Sequence, residues 1–130
     1  MSGWPCEASE HMEQVALVKW WHLLCKSGRL GEAPPLLFAI PNGGARSVIT
    51  GARLRAEGVT PGIPDLCLAL PGGQTHGLFI ELKKQHGGVV SPAQKAVMHR
   101  LETYGYRCIV AHGWREAATE ITGYLDLPVP

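Results

Sequence analysis

Three short apolar runs set the frame of this chain: Leu66-Cys67-Leu68-Ala69-Leu70, Leu78-Phe79-Ile80 and Arg107-Cys108-Ile109-Val110-Ala111. Only the turn-rich segment Pro71-Gly72-Gly73-Gln74-Thr75-His76-Gly77 separates the first two, so residues 65–84 read as an antiparallel hairpin. Between the second and third runs lies a strong helix start. Ser91 is the cap, Pro92 suits the first helical position, and Gln94 stands where a capping box places Glu or Gln. That helix runs to about Tyr104 and stops at Gly105. Strand, helix, strand from 78 to 111 implies a parallel, right-handed crossover. The fold class expected is α/β, a small mixed β-sheet flanked by helices.

The remaining elements fit around that frame. Ser9 is a helix cap, and Glu10 to Lys26 has a helical pattern whose Val15, Leu17, Val18, Trp20, Trp21, Leu23 and Leu24 make a broad apolar surface. Gly28 ends it. Leu36-Leu37-Phe38-Ala39-Ile40 reads as a short buried strand, closed by Pro41-Asn42-Gly43-Gly44. Residues 45–62 are the least regular, with a short helix around Gly51–Glu57. A last helix spans about Trp114–Leu125. Residues 1–8 read as a flexible leader and 9–127 as one domain.

A chain of 130 residues suits one core. The net charge of +1 neither favours nor excludes nucleic acid, because local patches decide that. No apolar run approaches membrane-spanning length, and no secretory signal is visible at the N-terminus. Cys6, Cys25, Cys67 and Cys108 are scattered without zinc-ligand spacing, which suits reduced thiols and a cytoplasmic setting.

The hairpin carries charge where a core belongs. Asp65 opens its first strand, and Glu81 and Lys83 lie within the second. Alternation puts Phe79, Glu81 and Lys83 on one face and Leu78, Ile80 and Leu82 on the other. Folding the hairpin about Gly72-Gly73 sets Asp65 across from Glu81. Buried charge is costly unless it is paired or holds a metal. Two close carboxylates suit a hard divalent cation, Mg²⁺ or Mn²⁺, and such a cation beside a lysine is equipment for phosphodiester hydrolysis.

Gly62-Ile63-Pro64-Asp65, Phe79-Ile80-Glu81-Leu82-Lys83 and Ser91-Pro92-Ala93-Gln94 together resemble the signature of the VRR-NUC domain, a branch of the PD-(D/E)XK nuclease superfamily. The likeness extends from about residue 9 to 125. It implies a restriction-endonuclease-like core and a Mg²⁺- or Mn²⁺-dependent DNA endonuclease, structure-selective for branched DNA such as four-way junctions. It also implies a bacterial or phage-encoded homodimer. Carried across by residue, Asp65 and Glu81 would bind metal with the backbone carbonyl of Leu82, and Lys83 would be the catalytic lysine. Gln94 would contact the attacking water or a phosphate. The resemblance adds a glutamate on the first helix. Glu10 is preferred, since with Gln14 it makes a pair one turn apart, and Glu13 competes for the role.

Asn42, Arg46, Arg53 and Arg55 before the hairpin, and Lys84, His86, Lys95, His99 and Arg100 after it, would form two basic margins for DNA backbone. The six histidines show no ligand spacing. Trp20-Trp21 reads as core or subunit interface. Two other classes stay open: a non-catalytic DNA-binding or assembly module on a nuclease fold, and a nuclease of other specificity, exonuclease or flap nuclease.

Overall fold

The computed structural model describes residues 7–41 and 48–126. Its elements run α1 (Glu10–Lys26), β1 (Leu36–Ala39), α2 (Val48–Ala56), β2 (Leu66–Ala69), β3 (Leu78–Lys83), α3 (Pro92–Thr103), β4 (Arg107–His112) and α4 (Trp114–Leu125). The strands form one sheet in the order β1-β2-β3-β4. β1 with β2 and β2 with β3 are antiparallel, and β3 with β4 is parallel through α3.

Local signals explain the boundaries. The Ser9 hydroxyl accepts from Met12 N–H at 3.1 Å and starts α1. At α3 the capping box is complete: Ser91 Oγ accepts from Gln94 N–H at 3.1 Å, and Gln94 Oε1 accepts from Ser91 N–H at 2.8 Å. Gly105, at φ +90°, takes the left-handed backbone that ends the helix.

The sheet has two unlike faces. One carries Leu66, Leu68, Leu78, Ile80, Leu82 and Ala111, which join Leu17 and Trp21 of α1 and Ile121 and Tyr124 of α4 in the core. Trp20 packs half-buried against the same cluster, so the tryptophan pair serves the core. The other face carries Cys67, Phe79, Glu81 and Lys83 and faces α3. Among the described residues no helix is long and apolar enough to cross a membrane.

One expectation is corrected. β1 is not buried: it is an edge strand with Leu36 70% and Phe38 46% exposed, and only Leu37 turns to the core. An unbroken apolar run usually means cover on both faces; here β1 has one strand neighbour, and only its Leu37 face meets the core.

The β2–β3 register decides where the charges meet. Leu66 pairs with Ile80, Cys67 with Phe79 and Leu68 with Leu78. One step beyond this ladder, Asp65 faces Glu81, and one step further the buried Pro64 faces Leu82. Pro64 has no N–H, so the ladder stops there.

Candidate active site

Glu81 is 2% exposed and sits at the centre of a polar cluster on an otherwise apolar strand. Its Oε2 accepts from Lys83 Nζ at 3.2 Å and from Gln94 Nε2 at 2.9 Å. Lys83 also donates to Gln94 Oε1 at 3.1 Å. The amide of Gln94 thus bridges the ammonium, the carboxylate and the N-terminal turn of α3. Its capping role and its place at the site coexist. The helix N-terminus adds a partial positive charge facing Glu81.

Asp65 closes the cluster from β2. Its Oδ2 accepts from Leu82 N–H at 2.8 Å, on the side of β3 that Pro64 leaves without a ladder partner. In an extended strand the N–H and C=O of one residue point to the same side, so the Leu82 carbonyl is directed toward Asp65 as well.

The electrostatics are strained in one direction. Burial, and then the charge of Asp65, push the Glu81 carboxyl up to about 7. Burial also raises Asp65, with the charge of Glu10 adding to it; the Leu82 N–H and the Lys83 ammonium pull the other way. Glu81 Oε1 is buried and meets no hydrogen-bond donor. A buried carboxylate oxygen without a donor, beside a second carboxylate and a directed carbonyl, is an oxygen-rich set suited to a hard divalent cation. Among the described residues, no three His, Cys, Asp or Glu side chains gather into a metal-holding group. Glu10 contributes to the field at both carboxylates while its own side chain is exposed.

These shifts carry a stability sign. A carboxyl raised by folding holds its proton in the native state where the unfolded chain has already lost it. Native stability therefore falls as pH rises from the ordinary carboxyl value of about 4.5 toward about 7 for Glu81, with Asp65 adding in the same direction. We expect the metal-free protein to melt at lower temperature at pH 7.5 than at pH 5, by about a few degrees, and Mn²⁺ to restore the difference at the higher pH. Thermal melts in chelator and in Mn²⁺ at both pH values check this; a melting point that climbs with pH in chelator refutes it.

The two helix acids part company. Glu13 is 1% exposed, and its Oε1 accepts from Trp114 N–H at 3.0 Å while Oε2 accepts from Gln85 Nε2 at 3.2 Å. It fills the first orphan donor of α4, whose own cap residue is Gly113 and lacks a side chain. Glu13 is a structural tie among α1, α4 and the β3–α3 connection, whereas Glu10 reaches the carboxylate pair through its charge alone.

Of the expected DNA contacts, Arg53 and Arg55 are exposed in the last turn of α2. Lys84 and Lys95 are exposed next to Lys83 and Gln94. Asn42 and Arg46 lie outside the described residues, as do residues 1–6 of the expected leader. Glu7 accepts a hydrogen bond from His86 N–H, which ties that part of the leader to the β3–α3 connection.

Sequence reading missed Gly88. A Cβ there would stand 2.8 Å from Lys83 Cβ, so the bare backbone is what lets the lysine stem lie flat toward Glu81. The Gly87-Gly88 pair was the available signal.

A family model of the VRR-NUC domain matches residues 8–114. A solved structure described as a VRR_NUC domain protein is similar over 95% of this chain and 93% of its own, with TM-score 0.74 and 28% identity. No curated protein matches the sequence significantly. The mixed four-stranded sheet with flanking helices is the restriction-endonuclease-like arrangement that this likeness carries.

Proposed function

The chain belongs to the VRR-NUC family of nucleases, and from that premise we propose that it is a divalent-metal-dependent DNA endonuclease centred on Glu81. The observation that carries this reading is the buried Glu81 itself, held by Lys83 and Gln94 with one oxygen left without a donor. Asp65, Glu81 and the Leu82 carbonyl would hold Mg²⁺ or Mn²⁺, with Glu10 adding charge from α1. When bound, such a cation lowers the pKa of water and offsets the charge of a phosphate.

The chain's own groups supply the rest. Lys83 presents its ammonium at the same spot and stabilises negative charge as the phosphorus gains a fifth oxygen. Gln94 fixes the direction of that ammonium through Oε1. A water oxygen forms the new bond to phosphorus, the bond to the leaving sugar oxygen breaks, and that oxygen takes up a proton. The exposed Lys84, Lys95, Arg53 and Arg55 supply backbone attraction with no base code.

Branched DNA, a four-way junction among its forms, is the substrate we assign, and a homodimer in the cytoplasm is the working unit. The exposed stripe of Met12, Val15 and Leu23 on α1 supports pairing of two copies. Two centres in one particle suit paired cuts. Digestion of a labelled panel (single strand, duplex, flap, four-way junction) in Mg²⁺, Mn²⁺ and chelator tests the proposal. Internal cuts in the junction with either metal and none in chelator are expected. Absence of cleavage throughout, with binding retained, would leave only a DNA-binding module.

A further inference from the structure

We infer that the cleft between α3 and the segment leading into Asp65 receives an unpaired nucleobase of the DNA that the neighbouring carboxylate centre cuts. The inference rests on the nuclease reading above and names a feature of its substrate.

The cleft measures about 510 Å³, within the size range of small-molecule sites. Val97, Arg100 and Leu101 line it from one face of α3, and Tyr104 from the cap residue that follows the helix. Ile63 closes it from the opposite segment, and Tyr106 from below. Both walls continue into the catalytic cluster. Ile63 lies two residues before Asp65, and Val97 three after Gln94. Beside the cluster the walls touch: a Cβ on Gly62, which has φ +84°, would stand 2.7 Å from the Ala93 carbonyl oxygen and 3.1 Å from the Gln94 nitrogen. This backbone seam joins the two walls at the Gln94 end of α3. At about 1.5 Å rise per residue, the cleft spans about 5 to 15 Å along α3 from Gln94. Stacked nucleotides advance about 3.4 Å each, so the base would come from within about four nucleotides of the cut.

The chemistry of the lining selects the occupant. It is mainly apolar, offers two phenol rings and one guanidinium, and includes no acid. A flat apolar body attached to an anion matches that set. Tyr106 is already fixed, edge-on to Phe79 at 5.4 Å and to His76 at 5.7 Å. Tyr104 is 74% exposed, a large ring that the core does not use. One rigid ring and one movable ring make a stacking slot, and Arg100 at its side meets the adjoining phosphate. A base paired inside a duplex cannot enter; one from a bulge, a flap or a junction point can.

The test uses metal-free protein in chelator and a duplex bearing a single unpaired 2-aminopurine, with an abasic nucleotide at the same place as control. Binding is expected to quench the 2-aminopurine fluorescence, and the abasic duplex to bind about tenfold more weakly. Tyr104→Ala, at an exposed position, and Val97→Trp, which fills the cleft, should each remove both effects, with circular dichroism confirming the fold. Unchanged fluorescence on binding, equal affinity for the abasic duplex, or effects that survive in both variants overturns the inference. Cleavage in Mg²⁺, measured separately, keeps the two proposals apart. Cutting without base capture sinks the cleft alone. Base capture without cutting supports the cleft and sinks the catalytic reading.

Discussion

Asp65→Ala is expected to abolish cleavage of every DNA that the wild-type protein cuts, in Mg²⁺ and in Mn²⁺, by at least about a thousandfold. The carboxylate faces Glu81 across the sheet and accepts the Leu82 N–H at 2.8 Å. Its loss removes half of the acidic pair proposed to hold the cation. The fold should survive, because two effects oppose each other. Leu82 N–H loses its acceptor, which costs about 1 kcal/mol where water can enter. Relief of the repulsion with Glu81 offsets that. The charge of Asp65 is the second cause raising Glu81, after burial. In the variant Glu81 should therefore titrate nearer the usual carboxyl range. Carboxyl-carbon NMR reads that shift, thermal melting reads stability, and a labelled junction reads activity. Wild-type cleavage by the variant would end the assignment.

Glu13→Ala is expected to be the most damaging single change for stability among the charged residues. It strands two donors at once, the Trp114 N–H and the Gln85 amide. Stranding the half-buried Trp114 N–H costs about 1–3 kcal/mol, and the exposed Gln85 amide, which can turn to water, gives up a hydrogen bond of about 1 kcal/mol. A total of about 2–4 kcal/mol lowers the melting temperature of a domain this size by about 10 °C. Glu10→Ala is the contrast. Its side chain is exposed, so melting should stay put while cleavage falls, since Glu10 contributes to the field at Asp65 and Glu81. If melting of Glu13→Ala matches wild type, the tie between α1 and α4 is not structural. If Glu10→Ala is the one that unfolds, the two roles are reversed.

That pair also marks how far a sequence can be read. The β2–β3 register was legible because a short turn leaves little choice of pairing, and the alternation of β3 then fixed which face held Glu81 and Lys83. The start of α3 was legible because Ser91, Pro92 and Gln94 are a local chemical code. Glu13's role was not local: its partners lie 72 and 101 residues away, so no window of sequence contains them. Its competition with Glu10 stayed open for that reason. The exposure of β1 was likewise invisible, because an apolar run states what a strand is made of and not which elements cover it. Gly88 was missed for a third reason. Close approach of a backbone to a lysine stem leaves no mark beyond the glycine itself.

Pro64 has an effect larger than its size. Any other residue there would offer an N–H toward Leu82, and the two strands would zip up one rung further. The imide ring works as a wedge that keeps the sheet forked, and the fork is the notch where the proposed cation would meet the Leu82 carbonyl. The proposed centre is thus defined partly by a hydrogen bond that the chain is chemically unable to make.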